Sequence, residues 1–255
     1  MKLRRVAQKG RGIVIPAVVV AVWWLAAESG WVSPYLLPPP EKVIATLLTM
    51  LQEGRIIDNL ALSLGKVLKG FLLGTGAGFA LGVMMGLSAT LEKLIAPLFN
   101  GIRQVPVLGW IPILILLFGL SELAKVVFIA LGAFYPMALN TFDGCRQLKK
   151  EYLEVARVFQ YGRIGQMWRF TLPSAVPSIL AGIRSSLSEA WLLVIGAEIF
   201  FKTAGGIGDM MWEAKEKVRM DVVFITILVV GLVGYVLNQG IGLLEGRLLR
   251  WRGDN

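Results

Sequence analysis

An all-α bundle of about six membrane spans is what this sequence predicts, and three observations predict it. The 255-residue chain is 56% hydrophobic, with a mean hydropathy of +0.67. Its apolar runs recur near the roughly 20 residues that cross a hydrocarbon core of about 30 Å. Its lysines and arginines, which give a formal net charge of +9, gather in alternate loops as orientation by positive charge requires, and not in the single patch that a nucleic acid would need. No soluble domain is left once the spans are counted, so residues 1–255 read as one transmembrane domain.

The spans fall at about 13–28, 62–87, 94–118, 123–142, 174–200 and 221–244. With the N-terminus inside, the inner side receives the basic tail from Lys2 to Arg11, then Lys93, then the run from Arg146 to Arg169, then Arg247, Arg250 and Arg252, which is more than half of the 26 basic residues. Both tails, 1–12 and 245–255, and the loop 141–173 are therefore expected in the cytoplasm, and the loop 202–220 outside. The first span follows a basic stretch as a secretory signal would, but Leu25-Ala26-Ala27 is a poor cleavage site and further spans follow, so an uncleaved anchor is expected.

Pro34 and Pro38 to Pro40 break the chain after the first span, and Glu41 to Gln52 then reads as an amphipathic helix on the outer surface, with Val43, Leu47, Met50 and Leu51 on one side. In the second span Gly70, Gly74, Gly78, Gly82 and Gly86 repeat every fourth residue, which clears one helix face for another backbone, either as a close-packed contact or as a sliding surface for a conformational change. The third span carries Pro97, Pro106 and Pro112 around Arg103 and Gln104 and is expected to kink, freeing backbone groups beside a permeation path; Arg103 is a candidate for meeting an anion there.

The fifth span places Gly182, Ser185, Ser186 and Glu189 at i, i+3, i+4 and i+7, with Arg184 nearby and Glu198 towards its outer end. Ionisable groups in a membrane face a bundle interior or water. The face is therefore either the lining of a translocation path, with Ser185, Ser186, Glu189 and Glu198 as its candidates, or a polar contact that pins two helices or two subunits. The outer loop 202–220, with Gly205, Gly206 and Gly208 ahead of the mixed charges from Glu213 to Arg219, is expected to hold a short helix.

Absences narrow the chemistry. Without histidine there is neither imidazole acid–base catalysis nor imidazole metal ligation, and Cys145 is the only cysteine, so no disulfide within the chain and no multi-thiolate site can form. No GxxxxGK[ST] phosphate loop occurs, so any ATP must bind another subunit.

The polar, basic stretch 151–180, EYLEVARVFQYGRIGQMWRFTLPSAVPSIL, interrupts this apolar chain. Tyr152, Val155, Ala156 and Phe159 form an apolar helical stripe, Gly162 permits the helix to end, and the Leu172-Pro173 step is expected to open the fifth span. A loop between spans with its own apolar stripe is a docking element.

Glu154-Val155-Ala156, then Gly162, then Leu172-Pro173 resembles the cytoplasmic EAA loop of ABC-transporter inner-membrane permeases of the importer type. LLPPPEKVIATL near residue 36, GWIPILILLFGLSELAKV from 109, and GAEIF followed by GGIGDMM extend the resemblance over nearly the whole chain, towards the nitrate, sulfonate and taurine group and most towards aliphatic sulfonate permeases. One departure is that the motif's usual glycine, six residues after its glutamate, is here Gln160, so the helix is expected to run slightly longer before turning at Gly162.

The resemblance implies a type I ABC importer permease fold in a bacterial inner membrane, spanning it several times with both termini cytoplasmic. The chain would not itself be an enzyme and would bind no cofactor; ATP and Mg would sit on two cytoplasmic ABC ATPase subunits. Tyr152, Glu154, Val155, Ala156, Arg157, Phe159, Gln160, Gly162, Leu172 and Pro173 would form the coupling site for those subunits. A second copy of the permease and a periplasmic substrate-binding protein would complete the assembly. The rival reading from the residues, an ion-coupled secondary transporter, lacks internal repeats and paired interrupted helices.

Overall fold

A computed structural model describes residues 2–147, 158–202 and 205–248 of the chain. Along it run α1 (Lys2–Glu28), α2 (Pro40–Gln52), α3 (Arg55–Leu87), α4 (Ala89–Ile102), a 3-10 turn (Val107–Trp110), α5 (Ile111–Phe118), α6 (Glu122–Arg146), α7 (Arg163–Gln166), a π-helical turn (Met167–Thr171), α8 (Leu172–Phe201), α9 (Ile207–Glu216) and α10 (Met220–Leu248). No strand occurs among the described residues.

Four helical runs, α3, α6, the run through Met167 to Phe201, and α10, are each long and apolar enough to cross a membrane. The third expected span is broken: α4 and the segment Val107–Phe118 meet at 88°. Pro106 and Pro112 cannot donate backbone hydrogen bonds, so the chain turns between Arg103 and Pro106 and restarts with Pro112 at the head of α5, where a missing N–H costs nothing. In α1 the apolar stretch is Val14–Glu28, and the helix itself begins at Lys2, within the basic tail. Similarly α6 runs on to Arg146 and α10 to Leu248, so helix continues past residue 141 and past residue 245.

The core is built on α6, which packs along α3 on one side and α8 on the other. Half of its apolar window is buried, against 22% for α10. The α3–α6 contact rests on the glycine stripe, where added side-chain atoms would strike the facing backbone. A Cβ at Gly78 would lie 2.6 Å from the Phe134 carbonyl oxygen, and one at Gly82 would lie 2.6 Å from that of Ala138. Phe128, Ile129, Ala133, Val194 and Ala197 fill the space between the three helices. A second apolar cluster, around Val43, Met50, Ile207, Met210 and Ile225, seats α2 and α9 across the end of the bundle where α3 and α10 begin.

One expectation is corrected by the helix preceding α8. The Leu172-Pro173 step does not open a helix; helical structure begins at Arg163 and continues through it. Pro173 has no N–H to give the residue four before it, and the widened π-helical turn immediately upstream, where the Leu172 N–H reaches Met167 O, takes up the mismatch.

Candidate functional site

Two regions carry the chemistry, one at each end of the bundle. At the end where α6 finishes and α7 begins, the chain turns at Gln160, whose φ of +52° lies in the left-handed region that favours glycine. The expected longer helix turning at Gly162 is therefore not what forms: the helical turn ends at Val158, and Gln160 takes the conformation at the position the motif usually gives to glycine. Tyr161 fastens this turn to the next helix. Its ring meets Phe170 edge-on at 5.6 Å, the Arg169 guanidinium lies 5.0 Å from its centroid, and Arg169 Nη1 donates to its hydroxyl at 2.6 Å.

Around that anchor the apolar side chains point outward. Val158 is 79% exposed, Phe159 69% and Trp168 63%. These three apolar side chains are thus left open to solvent beside a basic segment, with none of them used in the apolar clusters of the bundle. Of the sequence-derived coupling residues, Tyr152, Glu154, Val155, Ala156 and Arg157 lie outside the described residues; Phe159 and Gln160 are at the turn, Gly162 follows it, and Leu172 and Pro173 lie within the helix beyond. Tyr161 and Trp168 escaped the sequence reading, although their aromatic character inside a polar loop was the available signal.

At the opposite end, Glu198 is fully enclosed. Its Oε1 accepts from Ser63 Oγ at 2.7 Å and from Lys66 Nζ at 2.9 Å, and its Oε2 accepts from the Gly208 N–H at 2.8 Å. Lys66 also donates to the Gly205 carbonyl. The Ile207 N–H donates to Ser63 Oγ and the Gly206 N–H to Asn59 Oδ1, both at 2.9 Å. Three otherwise orphaned donors at the start of α9 are thus satisfied by side chains from α3 and α8, because Gly206, at φ +130°, has no side chain to cap with.

Next to this knot, Lys125, with no exposed surface, lies 3.7 Å from Asp209 Oδ2 and 3.4 Å from Glu122 Oε1. Asp209 Oδ2 is buried without a hydrogen bond. Burial pushes the Asp209 carboxyl up to about 6, with Lys125 pulling the other way and Glu198 adding to the rise.

The expected path residues separate into two groups. Ser186 and Glu198 are buried and pin helices together, Ser186 by donating to the Ala133 carbonyl at 2.7 Å, and Gly182 closes on Met137 and Asn140. Ser185 and Glu189 lie exposed on α8, and Arg103 and Gln104 lie exposed at the bend after α4. The stripe read as one face thus straddles a boundary: half of it faces α6 and half is open. Arg184 is held by Asn238 at 2.9 Å and by Glu245 at 3.6 Å, tying α8 to α10. Sequence reasoning missed Lys66 and Lys125, although a lysine inside an apolar span itself demands a carboxylate partner.

Residues 74–250 match the family described as the binding-protein-dependent transport system inner membrane component. The chain is 37% identical over 242 residues to a permease of Bacillus subtilis (strain 168) named for the transport of aliphatic sulfonates, covering 95% of this chain and 87% of that one. It is 31% identical over 243 residues to the taurine transport system permease protein TauC of Escherichia coli (strain K12), covering 93% and 88% respectively. It is 28% identical over 260 residues to the bicarbonate transport system permease protein CmpB of Synechocystis sp., covering 95% and 91%. In fold it is similar to the inward-facing MetNI methionine ABC transporter, with a TM-score of 0.54 over 71% of this chain and 92% of that one at 18% identity. The fold is therefore that of a type I ABC importer permease, and the chain belongs to the binding-protein-dependent transport system inner membrane components.

Proposed function

We propose that this chain is the membrane subunit of an ATP-driven importer of small anions, aliphatic sulfonates foremost, working by alternating access. The observation that carries the reading is the outward-pointing patch of Val158, Phe159 and Trp168 on a turn fixed by Tyr161, adjoining the EAA-like segment. A separate ATPase subunit seats on that turn, its groove covering the apolar side chains. When two such subunits close on ATP, the turn is carried with them. The motion passes through the helix that begins at Arg163 into α8, and from α8 into α6 and α3, whose glycine-lined contact leaves little room for slack.

Two copies of the chain frame the path, with the exposed faces of α8 and of the bend at Arg103 turned towards it. Arg103 offers a fixed positive charge to an anion, while Ser185 offers a hydroxyl donor. A periplasmic binding protein delivers the solute at the end closed by α2 and α9, and both termini lie in the cytoplasm. Selectivity rests largely with that delivering protein, and the relatives' names support aliphatic sulfonates foremost, at 37% identity against 34% for a nitrate, 31% for a taurine and 28% for a bicarbonate permease. The test is competition: vesicles holding the whole assembly are given a labelled alkanesulfonate with excess taurine, nitrate or bicarbonate. Unlabelled alkanesulfonate is expected to compete best, and uptake displaced better by nitrate or bicarbonate would overturn the sulfonate assignment.

A further inference from the structure

The ion-pair knot at the base of α9 holds more negative than positive charge. Lys66 from α3 faces Glu198 from α8 at 2.9 Å, and Lys125 from α6 is shared between Glu122 of its own helix and Asp209 of α9 at 3.4 and 3.7 Å. Among the ion pairs of the described residues, three carboxylates here meet two ammonium groups. Glu198 is well satisfied, with hydrogen bonds from Ser63, Lys66 and the Gly208 N–H. Glu122 is half exposed to solvent. Asp209 is the poorly served member, because its side chain is only 17% exposed and its inner oxygen accepts no hydrogen bond. A buried charge without hydrogen bonds costs far more than the same group neutral.

We propose that Asp209 is the surplus charge of this knot and that its protonation tightens the seat of α9 on α3, α6 and α8. The direction follows from linkage. The seated carboxyl titrates near 6, burial being the main cause, whereas a solvent-exposed aspartate titrates near its ordinary 3.8. The seated state therefore binds protons more tightly than the released one. Seating carries no penalty below the lower value; the penalty grows as pH rises between the two and is complete above about 6. The position of Asp209 in the first turn of α9 favours its charge and works against this shift, but burial and the neighbouring Glu198 outweigh it. The helix that closes this end of the bundle is consequently an acid-tightened cover, whatever solute passes beneath it.

The test is amide hydrogen exchange over residues 205–216 in the full chain in lipid nanodiscs, each rate divided by the intrinsic rate at that pH, from pH 5 to pH 8. Protection in the wild type is expected to fall about tenfold across that range with a midpoint near 6. D209N, neutral at every pH, is expected to keep high protection throughout and to melt higher than the wild type at pH 8 and, by a smaller margin, at pH 5. A wild-type profile flat in pH, or a D209N protein less protected than the wild type at pH 8, overturns the proposal, the second result meaning that the Lys125 contact holds the helix by its charge. Glu122→Gln, at a half-exposed position, leaves Lys125 more fully available to Asp209 and is expected to move the wild-type midpoint downward; an upward movement counts against the shared-lysine geometry.

Discussion

Lys66 Nζ and Glu198 Oε1 lie 2.9 Å apart although 132 residues separate them in sequence, with 7% and 0% of their side chains exposed. The pair fastens α3 to α8 and, through Gly205 and Gly208, both of them to the start of α9. Removing one partner leaves the other charge buried and uncompensated. Glu198→Ala is therefore expected to cost about 3–5 kcal/mol of stability, and the double replacement Lys66→Met with Glu198→Leu much less, since no stranded charge remains. Thermal unfolding in nanodiscs measures both; a single variant as stable as the wild type would show that the pair is not enclosed.

The glycine stripe makes an equally definite demand. A side chain at Gly78 meets the Phe134 carbonyl and the Met137 Cβ, whereas one at Gly76 meets nothing within 4 Å. Gly78→Val is expected to destabilise the bundle by about 1–3 kcal/mol or to force α3 away from α6, and Gly76→Ala to be neutral or slightly stabilising. Unfolding midpoints of the two variants, compared side by side, check the facing of α3.

At the turn, Gln160 holds φ +52° without being glycine. Gln160→Gly is expected to stabilise the turn by about 1 kcal/mol, while Gly162→Ala should change little because nothing lies within 4 Å of the added Cβ. The readout is protection of the Tyr161 and Gly162 amides in hydrogen exchange, expected to rise several-fold in the Gln160→Gly variant. A fall would mean that the turn is made elsewhere.

The glycine stripe, the amphipathic α2 and the proline-broken third span were legible because each is a local pattern: a period of four, an apolar face, or a missing backbone donor. The 88° between the halves of the broken span was not, since prolines say where a helix stops and not where the chain goes next. Leu172-Pro173 misled for a related reason. Proline usually opens helices, and only the neighbouring π-helical turn reveals that it can ride inside one. The knot at Glu198 is tertiary, assembled from α3, α6, α8 and the start of α9, and no spacing announces that Lys66 and Lys125 belong with it. The division of Ser185 and Glu189 from Ser186 depends on which way α8 is rotated against α6, a fraction of a helical turn that a heptad-length pattern does not fix.

Phe159 and Trp168 carry their own prediction. Each is largely exposed, and neither contributes to the apolar clusters at the core. Phe159→Ala and Trp168→Ala should leave the melting temperature of the isolated chain almost unchanged, yet each should weaken its association with the ATPase subunit by about tenfold, the loss of an apolar interface anchor. Pull-down titration of the complex measures the second effect. Unaltered association in the double variant would move the docking surface away from this turn.

The central claim is that a separate ATP-burning subunit drives this chain, and reconstituted uptake tests it most directly. Vesicles containing the chain with its ATPase subunits and binding protein are expected to accumulate the anion only when ATP is supplied to the ATPase side, and vesicles containing the chain alone to accumulate none under any ion gradient. Accumulation by the chain alone, driven by a proton or sodium gradient and indifferent to ATP, would contradict the account.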